Sequence, residues 1–313
     1  MTVQTAIGML TGLGTPGVAV AAGMGSAGAF AISNALQHRA AGTVPATVRR
    51  ALAVLGHLAR QRAWLGATGI SFCAVLLHAL ALRVGSIALV QPLMLVGVVL
   101  AVPARAALER KLPPWREVRA VGVTVVGLTV FVLSANPEPS MTTPRIPLAA
   151  VFVVGCFAVA LFALRASRRC GTRAAGPQAV MLGAGAGVMF GATAGLLKLV
   201  SITATSTSGL HLPFLAALGM LVASGLLGTA MNQRAYQIAP IAFSMPLVNV
   251  VDIVVALLFG AAVFGELPGH TFGQLGLQLG ALVCVSVGLV LIASLRNSVE
   301  AVDAAPVLVG EPS

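Results

Sequence analysis

The chain has 313 residues, 58 % of them apolar and only 9 % charged, with a mean hydropathy of +0.98. That much apolar surface exceeds what a water-soluble core needs, and repeated apolar runs of about 20 residues mark a multi-pass membrane protein. The net charge of +11 does not point to nucleic acid, because the arginines cluster in short loops between apolar runs and aromatic residues are only 5 %.

Residues 1–16 carry no basic n-region and are read as an outer N-terminal segment rather than a cleaved signal. Whether Ala6–Gly14 extends the first span stays open. That span is Val18–Leu36; it contains Asn34 and ends at Gln37-His38-Arg39. Residues 42–62 are too polar to cross; Leu52, Leu55 and Leu58 among arginines fit a basic amphipathic helix on the membrane surface. The second span, Trp64–Leu82, carries His78. The third, Ile87–Ala107, carries Gln91, Pro92 and Pro103. The fourth is Ala120–Leu133, starting near Trp115, and the fifth, Ile146–Leu164, is a connector.

The sixth span, Ala179–Val200, contains Gly183, Gly187, Gly191 and Gly195 at four-residue spacing, with Lys198 near its end. Small residues at that spacing let helices approach closely, and Gly276 and Gly280 repeat the pattern in the ninth span. The seventh span, Leu212–Met231, runs into Asn232. The eighth, Ala239–Glu266, holds Pro246, Asn249 and Asp252; the ninth is Phe272–Leu295. Residues 297–313 are expected to be a disordered tail.

Nine spans put the termini on opposite sides. With the N-terminus outside, 16 of the 19 basic residues fall in inner loops and two, Arg83 and Arg145, in outer ones. Lys/Arg bias in short loops sets orientation, so the tail is expected in the cytoplasm and the protein in the cell membrane. Ile87, Ala88, Pro92 and Leu93 recur as Ile241, Ala242, Pro246 and Leu247 at a constant offset of 154. Spans one to four, residues 17–135, therefore correspond to spans six to nine, residues 178–296. The third enters from outside and the eighth from inside, which makes the halves inverted repeats. The fold class is all-α, with about nine transmembrane helices in two such repeats.

Pro246, the closing Val263-Phe264-Gly265-Glu266 and the following Gln274-Leu275-Gly276 resemble the drug/metabolite transporter superfamily and its EamA-type repeat. The nine-span count, with a first span ending in Asn34–Arg39 before a basic loop, is also similar to the NIPA-like magnesium-transporter branch. The resemblance implies a transporter. The first half departs from it by lacking one helix of the usual five-helix repeat.

A carboxylate at the bilayer centre is costly unless it meets a partner, substrate or ion, so Asp252 is the leading candidate site. Met245, Asn249 and Asp252 share one helical face. The matching first-half positions are Gln91, Leu95 and Val98, so the Asn249–Asp252 pair belongs to one half only. Lys198 is read as snorkelling to the interface or as pairing with Asp252. His78, Gln91, Asn34 and Asn232 are cavity-lining candidates, or interhelical hydrogen-bonding residues. Pro92 and Pro246 are expected helix breaks.

Asp252 is counted as the one acid inside a span, which leaves no multi-carboxylate metal cage. Cys73, Cys156, Cys170 and Cys284 show no metal-binding or disulfide spacing. No enzyme motif and no cofactor site is found. Membrane lipids and a small-molecule or ion substrate are the expected partners, and a homodimer is left open. The leading expectation is alternating-access transport of a small solute, proton-coupled through Asp252. The alternatives are NIPA-like divalent-cation transport and a non-transporting scaffold or lipid-binding protein.

Overall fold

The computed structural model describes residues 14–41, 60–109, 112–134, 143–169, 175–204, 212–239, 241–266 and 271–303, and among them it is all-helical. The elements in order are α1 (Gly14–Ala41), α2 (Arg62–Val84), α3 (Ile87–Met94), α4 (Val96–Glu109), α5 (Trp115–Ser134), α6 (Ile146–Arg169), α7 (Ala175–Thr203), α8 (Leu212–Ile238), α9 (Ile241–Phe259), a π-turn (Gly260–Phe264) and α10 (Phe272–Asp303). Seven helical stretches among the described residues are long and apolar enough to cross a membrane. Two more apolar stretches, Gly17–Ser33 and Ile87–Leu100, are shorter.

The expected fifth and seventh spans form at their expected starts, and the fourth begins at Trp115. Three boundaries are corrected. The third span is not one helix: it breaks at Leu95, whose N–H bonds Pro92 O at 3.0 Å before Val98 and Val99 restart the ladder on Leu95 O. Proline cannot donate to its own turn and its ring crowds the preceding one; here the turn before Pro92 stays helical and the ladder is interrupted just after it. Pro246, by contrast, is accommodated within a continuous α9. The last helix runs past Arg296 to Asp303, so the segment expected to be disordered starts as helix. Residues 1–13, most of the 42–62 amphipathic segment and residues 304–313 lie outside the described residues.

The outer surface explains why the helices need lipid. Phe72, Val151, Val154, Phe162, Leu226, Leu279 and Val283 all point outward and exposed. Apolar side chains gain nothing by leaving lipid, so helices in a bilayer associate through close packing and interhelical hydrogen bonds. Both are seen. Ser26 and Ser33 of α1 donate to Ala74 O (2.8 Å) and Ala67 O (2.7 Å) of α2. Thr193 of α7 and Ser224 of α8 are 2.9 Å apart.

α7 is the central helix, buried along most of its length, with α6, α8 and α9 packed on it. Its glycine stripe faces α9, as the four-residue spacing predicts. A methyl placed on Gly183 would lie 2.9 Å from Ser244 Cβ, one on Gly187 2.6 Å from Val248 O, and one on Gly191 2.7 Å from Asp252 O. Gly195 abuts the Phe259 ring. The parallel expectation for Gly276 and Gly280 is overturned, because both open onto free space. The α5–α10 contact is made instead by Gly127, against Val285, and Gly288, against Thr124.

Candidate functional site

α3 is short, and every residue from Ile87 to Leu93 is buried. It packs against α1, α5, α7 and α9, so both halves of the chain surround it. Two polar layers lie along it, one turn apart.

The first layer is at the α3 N-terminus. The first backbone N–H groups of a helix have no intrahelical partner and carry partial positive charge. Ser86 caps Leu89 N through its hydroxyl oxygen at 3.2 Å. Glu266 Oε2 accepts from Ile87 N at 2.8 Å. The carboxylate arrives from the end of the π-turn, where Gly265 adopts φ 69° and donates to Gly260 O. That left-handed conformation favours glycine, and it gives the closing Gly-Glu pair its physical role: it turns the chain so that Glu266 reaches back to α3.

Glu266 Oε1 is ion-paired with Lys198 Nζ of α7. The ammonium also donates to Gly85 O at 2.8 Å and lies 5.2 Å from the centre of the Phe264 ring. Both side chains are at most 2 % exposed. The expectations that Lys198 snorkels or pairs with Asp252 are therefore corrected. Its stem is enclosed by the α2–α3 turn and the π-turn, and the acid within reach is Glu266. The count of one acid inside the spans is also corrected, since Glu117 in the first turn of α5 and Glu266 are both fully buried.

The second layer is at Gln91, where Nε2 donates to Asp252 Oδ1 of α9 at 2.7 Å. Asp252 is half-buried and Gln91 is buried. The α9 backbone at Asp252 rests directly on Gly187 and Gly191 of α7. The polar pair thus takes one residue from each half, rather than two from the second half as the offset implied. Asn249 is not the partner of Asp252 in this arrangement: its Nδ2 donates to Met245 O of its own helix at 2.8 Å.

The other candidates are not brought to this point by any described hydrogen bond. His78 Nε2 on α2 and Asn232 Oδ1 on α8 are buried atoms without a hydrogen-bond partner among the described residues. Asn34 lies in α1, with its side chain outside what the structure describes. Cys73, Cys156 and Cys284 are free, and Cys170 lies outside the described residues.

The two layers differ in charge. The first is balanced, Lys198 against Glu266, and the helix end adds further support for the carboxylate. The second has a carboxylate and no cationic partner among the described residues. The sequence signal for this pair is slight: Lys198 and Glu266 fall near the same end of the expected sixth and eighth spans.

Comparison with protein-family models, with curated proteins and with solved structures finds no match to this chain.

Proposed function

We propose that the protein is a secondary-active transporter of a small solute, working by alternating access between two inverted repeats, with Asp252 as its charge-bearing site residue. The observation that carries this reading is the short, enclosed α3, broken from α4 at Leu95, which sets Gln91 beside Asp252 where the two halves meet. Discontinuous helices that present polar groups at a repeat interface are how many transporters build a midplane site. The resemblance to the drug/metabolite transporter superfamily agrees with this reading.

Nine crossings with a cytoplasmic tail fit the contacts between helix ends. Gly85, Lys198 and Glu266 meet at one end, where Arg145 N also bonds Val263 O. Gln278 of α10 bonds Ser134 O at the close of α5. In the nine-span topology all of these are outer. Gln178 bonds Ser167 O between the basic end of α6 and the start of α7, on the inner side. α7 and α9 run parallel, and so do α1 and the α3–α4 pair, with the two sets opposed in direction. A C-terminal alkaline phosphatase fusion is expected to be inactive and a fluorescent-protein fusion bright. The opposite pair of results removes the orientation.

Asp252→Asn keeps the shape of the side chain and removes its charge. It should leave the protein folded and inserted and abolish coupled uptake. The measurement is uptake into proteoliposomes across a panel of amines, amino acids and divalent cations, in the wild type and the variant. Uptake unchanged by the variant, with an unchanged response to a proton gradient, makes Asp252 structural and ends this mechanism.

A further inference from the structure

We propose that Lys198 and Glu266 form a clasp on the α2–α3 turn, that this clasp is the gate at one end of the seam between the two halves of the chain, and that its charges let the closed end reopen. The inference rests on the transporter reading for its purpose, and on the packing at the two ends of α7 for its place.

The two ends of α7 differ. Around its C-terminal half, one apolar core takes Ala81, Leu82 and Ile87 from the first half of the chain and Leu196, Val263 and Phe264 from the second. Ile87, Val263 and Phe264 are fully buried. Around the N-terminal half of α7 lies another core, which includes Leu182, Ala186 and Met189. Its described members come from α6 to α9, and none comes from α1 to α5. Along α7 the halves are thus sealed against each other at one end only. Transporters built from inverted repeats rock one repeat against the other around a fixed site, so a seal at one end has to be releasable.

Polar groups cross the sealed end in two places. Lys198 and Glu266 both belong to the second half, and they pair with each other. Each also holds one backbone group of the α2–α3 turn, in the first half. Lys198 Nζ donates to Gly85 O at 2.8 Å, and Glu266 Oε2 accepts from Ile87 N at 2.8 Å. The pair therefore grips an acceptor and a donor two residues apart. The Glu266 prong is carried by the π-turn and aimed by Gly265 at φ 69°; π-segments are frequent at functional sites.

An apolar seam without charges has no reason to open to water. Here opening returns two ions to water. In the closed state each ion has exchanged hydration for one ion partner and one backbone bond, and such exchanges come out near balance. Regained hydration on opening offsets the lost apolar contact, which keeps the open end within reach in free energy.

Removing one charge or both should then act in opposite directions. One alone leaves its partner stranded in the closed seam, where an unpaired ion is costly, and opening relieves it. Removing both leaves a neutral seam that stays shut.

The test is the rate at which a polar maleimide labels Ile87→Cys in the purified full-length protein, with Cys73, Cys156, Cys170 and Cys284 replaced by alanine. With Lys198 and Glu266 in place, labelling should be slow. Adding Lys198→Met should speed it at least about tenfold, through a larger open population. Adding Glu266→Gln to that variant should return the rate to its starting value or below. Equal rates with and without Lys198 overturn the proposal, and so does a double variant labelled as fast as the single one.

A cross-link tests the gate with both charges kept, should Lys198→Met not fold. A Cβ on Gly260 would lie 3.4 Å from Ile87 Cβ, close to the roughly 3.8 Å usual for a disulfide. In Ile87→Cys with Gly260→Cys, a mild oxidant should join the halves and stop uptake into proteoliposomes, and a reductant should restore it. Either cysteine alone should not respond. Uptake that continues in the cross-linked protein overturns the gate, as does failure of the two cysteines to join. Labelling as expected, without uptake of any solute by the wild type, removes the transporter reading and leaves the clasp as a conformational switch. Uptake together with labelling indifferent to Lys198 does the reverse.

Discussion

Replacing Lys198 with methionine should destabilise the protein by about 3–5 kcal/mol, the cost of stranding the other half of a buried ion pair. Glu266 would keep one donor, Ile87 N, and lose its countercharge. Glu266→Gln should cost a similar amount for the opposite reason, leaving the ammonium with Gly85 O and the Phe264 ring but without its countercharge. The double variant Lys198→Met with Glu266→Gln removes both charges, and its amide oxygen can still accept from Ile87 N. Replacing a whole buried pair with groups of similar volume is often neutral or stabilising, so the double variant should recover most of the loss. Thermal unfolding of the four purified proteins in detergent gives the comparison. If the two single losses simply add in the double variant, Lys198 and Glu266 are not energetically paired. If each single loss is under about 1 kcal/mol, the pair behaves as a solvated surface bridge.

The parts of this fold that were legible in the sequence are those set by long-range hydropathy and by small-residue spacing. Trp115, Ile146 and Leu212 start helices where the apolar runs say they should. The Gly183–Gly195 stripe meets a partner helix because a four-residue period keeps one side of a helix free of side chains. Spacing alone does not say whether such a side is covered, and Gly276 and Gly280 have the same period and face open space. Proline was similarly ambiguous. Pro92 precedes a break and Pro246 does not, so a proline in an apolar run does not by itself say where the helix ends. The polar site was half legible. Asp252 stands out as a charge in the middle of an apolar run, and Gln91 as a polar residue in another. Their pairing joins residues 161 positions apart, and a sequence offset aligns similar stretches of the chain rather than the positions that touch. In the sequence Glu266 is the end of a helix-closing motif, directly after a glycine at a span end. Only the left-handed turn at Gly265 shows that its side chain returns to α3.

Gly191→Leu should all but eliminate folded protein, and Gly276→Leu should leave yield and melting temperature at wild-type values. Both glycines sit in apolar helices and the substitutions are identical, so the comparison bears on packing. At Gly191 even a methyl would lie 2.7 Å from Asp252 O, 2.7 Å from Val255 Cβ and 2.9 Å from Ala256 N. Two of those atoms are backbone, which cannot turn aside as a side chain can, so α9 would have to move away from α7. Overpacking a tight core costs about 1–3 kcal/mol for added methylenes, and leucine adds several against a rigid surface. At Gly276 nothing lies within 4 Å of the added carbon, so a leucine there meets lipid. Gly191→Ala gives the intermediate case and bears on function as well as stability. Its methyl presses on the peptide of Asp252 itself, so the shift that relieves the clash also changes the distance from Asp252 to Gln91. Coupled uptake should therefore fall in Gly191→Ala by more than its loss of folded protein explains, measured per folded molecule. Uptake that tracks folded protein alone would show that α7 supports the fold of α9 without setting the position of Asp252. Wild-type yield in Gly191→Leu would show that this face of α7 is open to lipid.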